Sequence, residues 1–300
     1  MRTLWANPGG DKTLTIDCDW HIHSRHSPCG KPEATLESIR SGMRRAGITR
    51  GGVTDHLHCE LNVPALEAAR REYDALDGRD EFHFGLEVSC LREYDLKRNR
   101  RAGADAHIYG VWDEGPEGPL AVYLPDELCE RLGVEYVIGG AHWPLGAPLE
   151  REAVIRSYHR QNMFLAQHPS VDIVAHPWWW MGAWKDEDGK YRTLPWLDDF
   201  NHVPRSMHDE FEAAIRENGK FVEINAGAIL LNDSYPPSFR GQYLEYLVML
   251  KEAGVRFATG SDSHDAGYNG KLRRIEADLD ALGLTSANLW QGPAADAPRQ

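Results

Sequence analysis

Histidines and acids in two short segments have the spacing of metal ligands. In DWHIHS, His21 and His23 are separated by one residue. Side chains two positions apart point to the same side of an extended segment, so both imidazoles can bind one ion. The segment SDSH repeats this spacing with Asp262 and His264. Imidazole nitrogens and carboxylate oxygens are typical ligands of zinc, manganese and iron.

Four further candidates follow or end other short apolar runs. They are His56 in VTDHLH, Glu87 in FGLEVS, His142 in GGAHW and His176 in VAHPWWW. A single histidine is more often a structural residue that makes hydrogen bonds. Unrelated histidines, however, would have no reason to gather at the ends of predicted strands. The set therefore predicts a metal site, and because a carboxylate such as Glu87 can bridge two ions, a site with more than one ion is the simplest interpretation.

The elements that must position these residues alternate between short strands and longer amphipathic helices. Strands are predicted near 13–19, 52–54, 82–88, 136–140, 171–175, 221–225 and 256–260. Helices are predicted near 32–46, 63–75, 125–132, 150–167, 206–218, 237–253 and 271–282. This alternation indicates a parallel sheet. If the sheet closes into a barrel, the C-terminal ends of its strands meet on one face, where barrel active sites lie.

Boundary signals support several of these helices. Ser206 precedes an acidic first turn and is the expected N-cap of its helix. Glycines that can end a helix in the left-handed conformation follow four of the helical patterns, at Gly47, Gly133, Gly219 and Gly254.

We interpret residues 1–290 as one barrel domain and 291–300 as a frayed tail. Two stretches, 90–124 and 177–205, exceed the usual length of a loop between strand and helix, and we expect them to be insertions. The first contains a basic cluster and a predicted hairpin at 105–124, and the second is rich in tryptophan. Neither resembles a low-complexity linker, which favours one elaborated domain over two.

The composition excludes several classes of protein. Hydrophobic residues make up 42% and charged residues 26%, as in ordinary globular proteins. A net charge of -13 repels nucleic acid and anionic membranes, so neither is an expected partner. The five cysteines form no CxxC pair, and no apolar run approaches the ~20 residues that cross a bilayer. These features favour a cytoplasmic protein.

Taken in order, the motifs resemble those of the polymerase and histidinol phosphatase (PHP) family of metal-dependent phosphoesterases. The similar segments are DWHIHS, TDH, GLE, GAHW, AHP and GSDSH, which together span residues 19–264. The resemblance implies an α/β fold, a distorted (β/α)7 TIM-like barrel that holds two or three divalent ions, commonly zinc, manganese or iron. The number of predicted strands agrees with that fold.

The resemblance also implies which residues share an ion. One ion would be held by His21, His23, Glu87 and Asp262. A second would be held by His142 and His176, with Glu87 as the bridge.

A third ion would be held by His56 and His264. In the family it is normally completed by a histidine or aspartate six positions after the second histidine of HxH, and here that position is Cys29. A thiolate can bind zinc. Cys29 could therefore be a ligand, His26 or His58 could replace it, or the third site could be weak or vacant.

We predict a metal-dependent hydrolase of a small organic phosphate ester, either a phosphatase or a phosphodiesterase. The ions would activate water and neutralise charge on the leaving oxygen, and Asp262 or His264 would relay the proton. One alternative is an amidohydrolase-like enzyme that cleaves an amide, a lactone or a non-phosphate ester at the same site. Another is a barrel that keeps its metals without turnover.

Substrate recognition leaves several interpretations open. The substrate is expected to be a small anionic molecule, with an aromatic or apolar portion if the tryptophans form a wall rather than packing; these are Trp143, Trp178, Trp179, Trp180, Trp184 and Trp196. Candidate phosphate ligands, each more often a surface charge, are Lys97, Arg98, Arg100, Arg101, Lys185, Arg192, Arg205 and Arg240. Glu223 and Asn225 share one side of a strand and either support the ligands or make ordinary buried hydrogen bonds.

Overall fold

The computed structural model describes residues 13–102, 117–181, 185–265 and 267–293, except for the side chains of 98–102. Strands in these residues are β1 (Cys18–Asp19), β2 (Arg50–Leu57), β3 (Phe82–Ser89), β4 (Leu91–Arg92), β5 (Leu120–Ala121), β6 (Tyr136–Gly140), β7 (Ile173–Ala175), β8 (Phe221–Asn225) and β9 (Arg256–Gly260). Helices are α1 (Leu36–Arg45), α2 (Val63–Asp74), α3 (Glu93–Ala102), α4 (Asp126–Leu132), α5 (Arg151–Gln167), α6 (Arg205–Glu217), α7 (Pro237–Glu252) and α8 (Lys271–Ala281). No described helix is both long enough and apolar enough to cross a membrane.

Seven of the strands form one parallel sheet in the order β1-β2-β3-β6-β7-β8-β9. The sheet nearly closes between β9 and the chain that follows β1. There Ile22 forms a parallel bridge with Ser263, and the Asp262 amide donates to the His21 carbonyl over 2.9 Å. The predicted seven-stranded α/β barrel is therefore confirmed.

The first two strands differ in length from their predictions. β1 contains two residues instead of extending over 13–19, because the preceding chain binds helix α8. The amides of Leu14 and Ile16 each donate over 2.7 Å, to the carboxylates of Asp280 and Glu276. β2 is longer than predicted and includes His56 within the strand.

Helix boundaries follow the glycine signals more closely than the Ser206 signal. Gly133 ends α4 in the left-handed conformation with a φ of 56°. Gly47, Gly219 and Gly254 also have positive φ, as expected of glycines after helices. Ser206, however, is not the N-cap, because α6 begins one residue earlier, after an extended Pro204.

The two insertions contain more order than their length suggests. In the first, β4 pairs antiparallel with β5 and α3 follows β4. Most of the predicted hairpin at 105–124 lies outside the described residues, and its described strand, β5, pairs with β4 instead. In the second, three indoles are fully buried, those of Trp178, Trp180 and Trp196. Residues 294–300 of the predicted tail also lie outside the described residues.

An apolar layer fills the N-terminal end of the barrel. It consists of Cys18, Trp20, Tyr136, Ile138, Ile173, Ala175, Phe221 and Ala258, with Trp290 packed against it. The Trp290 amide donates to the Phe257 carbonyl over 2.7 Å, so the C-terminal segment covers this end. A larger apolar cluster lies elsewhere in the fold and includes side chains from helices and strands. The opposite, C-terminal end of the barrel is left for polar residues.

Candidate metal centre

All nine side chains singled out as site residues gather at the C-terminal end of the barrel. They form four groups, and within each group every potential ligand atom lies within 4.8 Å of the others. The groups are His21–His23–Asp262, His21–Glu87–His176, His56–Glu87–His142 and His23–Cys29–His56–His264. Because the groups share members, they form one continuous cluster.

Glu87 lies at the centre of this cluster and is completely buried. Its Oε1 is 3.1 Å from Nε2 of both His142 and His176. Its Oε2 is 2.9 Å from Nδ1 of His56 and 3.3 Å from Nε2 of His21. The two carboxylate oxygens thus face different sets of imidazoles, which is the arrangement that a bridging ligand requires.

The HxH segment and the last strand approach each other on one side of Glu87. Nε2 of His21 lies 3.0 Å from Nε2 of His23. Asp262 Oδ1 lies 3.3 Å from the His23 nitrogen and 3.6 Å from the His21 nitrogen. These three ligand atoms are close enough together to bind one ion.

Hydrogen bonds to the outer nitrogens fix the orientation of several imidazoles. Nδ1 of His21 lies 2.7 Å from Glu223 Oε1, and Nδ1 of His264 lies 3.0 Å from the Asp262 carbonyl. A carboxylate or a carbonyl accepts, so each neutral ring donates from Nδ1 and keeps a lone pair on Nε2. Nδ1 of His142 lies 2.8 Å from Ser89 Oγ, a hydroxyl that can accept from it. Inward lone pairs held by outer hydrogen bonds are typical of metal-binding histidines, so the residues present fit a metal centre.

The electrostatics of the cluster also favour a cation. Burial raises the pKa of Glu87, but the nearby histidines, His56 first, hold it well below its usual value. Burial likewise raises the pKa of Asp262, and His21 leads the groups that hold it well below the usual value. Burial lowers the pKa of His21, whereas the surrounding carboxylates, Glu223 first, raise it well above normal. Both acids are therefore ionised, and their charge would be balanced by protons or by metal ions.

Glu223 and Asn225 on β8 contact the candidate ligands directly. Beyond its contact with His21, Glu223 accepts from the His176 amide over 2.6 Å. Asn225 Nδ2 donates to Glu223 Oε1 over 3.1 Å and to Asp262 Oδ2 over 3.3 Å. Of the two interpretations left open by the sequence, these contacts favour support of the ligands.

Asp19 joins the first strand to the last and was not singled out from the sequence, although it begins the DWHIHS segment. It accepts from the Ser261 amide over 2.9 Å and from the Tyr268 hydroxyl over 2.7 Å. Burial raises its pKa to about 6 despite these hydrogen bonds. Asp19 therefore ties the segment that precedes His21 to the chain that follows the last strand, and it also accepts from the His21 amide over 3.2 Å.

Two glycines provide the space that the cluster occupies. A Cβ on Gly140 would lie 2.7 Å from His176 Cε1 and 2.8 Å from His142 Cε1. A Cβ on Gly260 would lie 1.9 Å from Glu223 Oε1. Real Cβ contacts are not that short, so neither position accepts a side chain without movement of the cluster. The sequence offered a signal for both, since each ends a strand shortly before a candidate ligand.

The backbone is strained near the cluster. Three residues other than glycine have positive φ there: His176 at 28°, Trp178 at 68° and Asp262 at 51°. Such conformations are costly for residues with a Cβ and persist where the surrounding structure imposes them, often at functional sites.

Among the candidates for the third ligand group, the structure brings Cys29 into the cluster. Burial raises the pKa of the Cys29 thiol, but its contacts with His56 and His264 lower it to about 6. His26 instead lies 2.7 Å from Glu72 through Nε2. His58 contacts Ser89 through Nδ1 over 2.8 Å, and neither of these histidines belongs to the four ligand groups.

The tryptophans divide into packing residues and one residue at the site. Buried indoles are those of Trp143, Trp178, Trp180 and Trp196, whereas Trp184 lies outside the described residues. Trp179 is only partly buried, and its ring centre lies 4.9 Å from that of His176 and 5.7 Å from that of His142. Among the tryptophans that the structure describes, Trp179 is therefore the one that is both partly exposed and beside candidate ligands.

The basic residues named from the sequence as phosphate ligands have other partners or are exposed, as far as their side chains are described. Lys97, Arg205 and Arg240 pair with carboxylates on their own or neighbouring helices, Lys185 lies over the Tyr191 ring, and Arg192 is exposed. The side chains of Arg98, Arg100 and Arg101 are outside the described residues.

Lys271, which the sequence did not single out, lies closer to the strand ends. Its Nζ is 2.9 Å from the position that a Cβ on Gly227 would take, beside the Ser261 carbonyl. In the sequence, Lys271 stands out only as the first residue of a predicted helix, and that position does not indicate a function.

No protein-family model and no curated protein matches this chain. Among solved structures, a protein from Listeria monocytogenes that carries a provisional histidinol phosphatase assignment is similar with a TM-score of 0.52 at 12% identity, over 82% of this chain and 95% of that one. The shared feature is the fold. The ochratoxinase of A. niger is similar with a TM-score of 0.42 at 12% identity, over 88% of this chain and 66% of that one.

Proposed function

We propose that this protein is a metal-dependent hydrolase of a small organic phosphate ester, of the PHP type. The observation that carries the proposal is Glu87, whose two buried oxygens face separate sets of imidazole nitrogens at 2.9–3.3 Å. The order of the motifs along the chain and the barrel fold support the same conclusion. We propose two or three zinc, manganese or iron ions as cofactors.

The donor sets suggest which residues would hold these ions. Glu87 would bridge, with His142 and His176 near its Oε1 and with His21 and His23 near its Oε2, where Asp262 lies beside both of these histidines. His56, His264 and Cys29 would hold a third. Bound ions would supply Lewis acidity, which makes water nucleophilic near neutral pH and stabilises negative charge on the leaving oxygen.

The chain's own residues would orient the reaction and move its protons. Asp262 is ionised and nearly buried, so its carboxylate can accept a hydrogen bond from the attacking water. The His264 side chain is 33% exposed and its Nδ1 lies 3.6 Å from Asp262 Oδ1, so in a centre with two ions, where Nε2 holds no third ion, the ring can pass a proton between that carboxylate and solvent. We propose these two residues for proton relay.

Trp179 and Lys271 suggest the shape of the substrate. The partly buried indole of Trp179 beside His142 and His176 would contact an apolar or planar portion. The Lys271 ammonium, at the ends of β8 and β9, would attract an anionic group. We therefore propose a small anionic substrate with an aromatic or apolar portion, and no nucleic acid or membrane partner. All five cysteines lie in described segments and none forms a disulfide, which supports the proposed cytoplasmic setting.

The experiment combines elemental analysis with a substrate screen. We expect about two or three transition-metal ions per chain and release of inorganic phosphate from members of a panel of monoesters and diesters, the latter assayed with a coupled phosphatase. Glu87→Gln should lose bound metal and at least about 100-fold in activity, because removing an outer partner of a ligand alone costs about 10- to 100-fold. Glu67→Gln is the control, since Glu67 pairs with Arg131 at the surface.

Three other outcomes would distinguish the proposed hydrolase from its alternatives. Metal without phosphate release, but with cleavage of amides or lactones, would support the amidohydrolase-like alternative. Metal without any turnover would support a binding protein. Protein that takes up no divalent ion would contradict the proposal altogether.

A further inference from the structure

One of the four ligand groups differs chemically from the others. His23, Cys29, His56 and His264 contribute imidazole nitrogens and a sulfur, and among the described residues no other such group contains a thiol. Each of the other three contains a carboxylate from Glu87 or Asp262. The cluster therefore offers two kinds of environment to a metal ion, one with anionic oxygen and one with sulfur.

The loop that carries Cys29 is held against the cluster. Ser27 Oγ lies 3.2 Å from Cys29 Sγ and 3.4 Å from His23 Nδ1, and it accepts from the His56 amide over 3.4 Å. The next residue, Gly30, has no room for a side chain, because a Cβ there would lie 1.8 Å from the Ser24 carbonyl oxygen. The position of the thiol is thus fixed by the fold.

Two histidines of this group, His56 and His264, each have one ring nitrogen that is not used in the contacts with Glu87 or Asp262. The His23 ring stacks on the rings of both His56 and His264, with centres 4.5 and 4.4 Å apart. His56 presents Nδ1 to Glu87, which leaves its Nε2 for a second partner. His264 uses Nδ1 for the Asp262 carbonyl, which likewise leaves Nε2. Cys29, His56 and His264 can therefore serve one ion without withdrawing a nitrogen from Glu87.

We propose that Cys29, His56 and His264, with His23 beside them, form a thiolate-bearing metal site that selects zinc, distinct from the carboxylate-bridged ions around Glu87. This inference rests on the proposed metal centre. Thiolate and imidazole ligands favour zinc, whereas manganese prefers carboxylate and water oxygens. The protein would accordingly retain one zinc ion under conditions in which the ions bound by Glu87 exchange with manganese.

Cobalt substitution tests the thiol as a ligand, because a sulfur-to-cobalt bond gives a near-ultraviolet charge-transfer band that oxygen and nitrogen ligands do not give. Metal-free protein would be titrated with Co²⁺. We expect the band in the wild type and in Cys129→Ser, a control at a cysteine on α4 that belongs to none of the four ligand groups. Cys29→Ser should lose the band and one equivalent of cobalt while it keeps the visible bands of the remaining cobalt, which also shows that the variant is folded.

Competition measures the selectivity. After dialysis against Zn²⁺ in the presence of a large excess of Mn²⁺, which lets manganese compete for the carboxylate-containing groups, the wild type should retain one zinc per chain by elemental analysis. Cys29→Asp places an oxygen ligand at this position. In this variant the preference of the site for zinc over manganese should fall at least about tenfold.

Several results would overturn the inference. A charge-transfer band that persists in Cys29→Ser would place the thiolate elsewhere, and cobalt bound by the wild type without any band would show that Cys29 is not a ligand. An unchanged zinc preference in Cys29→Asp would also contradict it. In each case the ions around Glu87 would still be bound, whereas failure of the proposed metal centre as a whole would appear as no cobalt uptake at all.

Discussion

The two ends of the barrel interior contrast within the same strands. On β3 the inward positions change from Gly85, beside the Tyr136 ring, to Glu87 in the cluster. On β8 they change from Phe221 in the apolar layer to Glu223 against His21. Two residues along either strand therefore lead from the apolar layer to the layer of ionised acids and imidazoles.

The two ends therefore contribute differently to the stability of the fold: the apolar end stabilises it, whereas the end with the candidate ligands has a cost in free energy. Burying ionised carboxylates costs free energy unless partners compensate. The apolar layer below, which includes Trp20, Tyr136 and Trp290, removes apolar surface from water and stabilises the fold. Positive φ at His176 and Asp262 adds to the cost at the polar end.

The largest expected effects come from adding one methyl group at either end. Gly140→Ala would bring a Cβ within 2.7–2.8 Å of the His176 and His142 rings. We expect these rings to move, with a loss of metal affinity of at least about 10- to 100-fold. Gly85→Ala would bring a Cβ within 2.6–2.9 Å of the Tyr136 ring. We expect it to lower the free energy of unfolding by about 1–3 kcal/mol or more while metal stoichiometry is kept.

Metal titration and chemical denaturation of both variants check this contrast. Gly241→Ala is the control, because a Cβ at this helical position meets no atom within 4 Å. It should leave metal affinity unchanged and stabilise α7 by up to about 1 kcal/mol. If Gly85→Ala weakened metal binding as strongly as Gly140→Ala, the two ends would not be separable.

A smaller effect is expected from the residues that hold the ligands. Glu223→Gln keeps the size of the side chain but weakens its contacts with His21 Nδ1 and the His176 amide. We expect metal affinity to fall about 10- to 100-fold, as for other outer partners of metal ligands. Isothermal titration with Zn²⁺ measures this. Affinity equal to the wild type would mean that Glu223 is an ordinary buried acid.

The sequence predicts the fold well where local signals and packing agree. β6, β8 and β9 have the predicted bounds because each is a short apolar run between clear helix and turn signals. The shortening of β1 could not be predicted, since its cause is the binding of Leu14 and Ile16 to α8, more than 250 residues away in the chain. The displaced start of α6 depends on the conformation of Pro204, which Ser206 does not reveal.

The candidate site is partly encoded in local motifs. Convergence of His21 with Glu87 and His176 follows from ligand-type residues at the ends of parallel strands. The sequence does not reveal which tryptophan faces the cluster, because Trp178 and Trp179 are neighbours with similar local context and the strained backbone decides between them. Nor does it reveal Lys271, whose place depends on the lack of a side chain at Gly227.

The smallest expected effect tests whether the two ends are independent. Tyr136 donates through its hydroxyl to the Trp20 carbonyl over 3.0 Å, in a buried contact directly before His21. Tyr136→Phe removes this hydrogen bond and keeps the ring, so we expect a loss of about 1 kcal/mol in stability. For a chain of this size, that corresponds to a fall in Tm of about 2 °C.

Zn²⁺ affinity should be unchanged in the same variant, because Asp19 and Glu223 hold His21 without help from Tyr136. Thermal denaturation and metal titration on one preparation compare the two quantities. A fall in zinc affinity of tenfold or more, together with the small loss in Tm, would mean that the Trp20 carbonyl transmits the packing of the apolar layer to the HxH segment. The apolar layer would then help to position the ligands as well as stabilise the barrel.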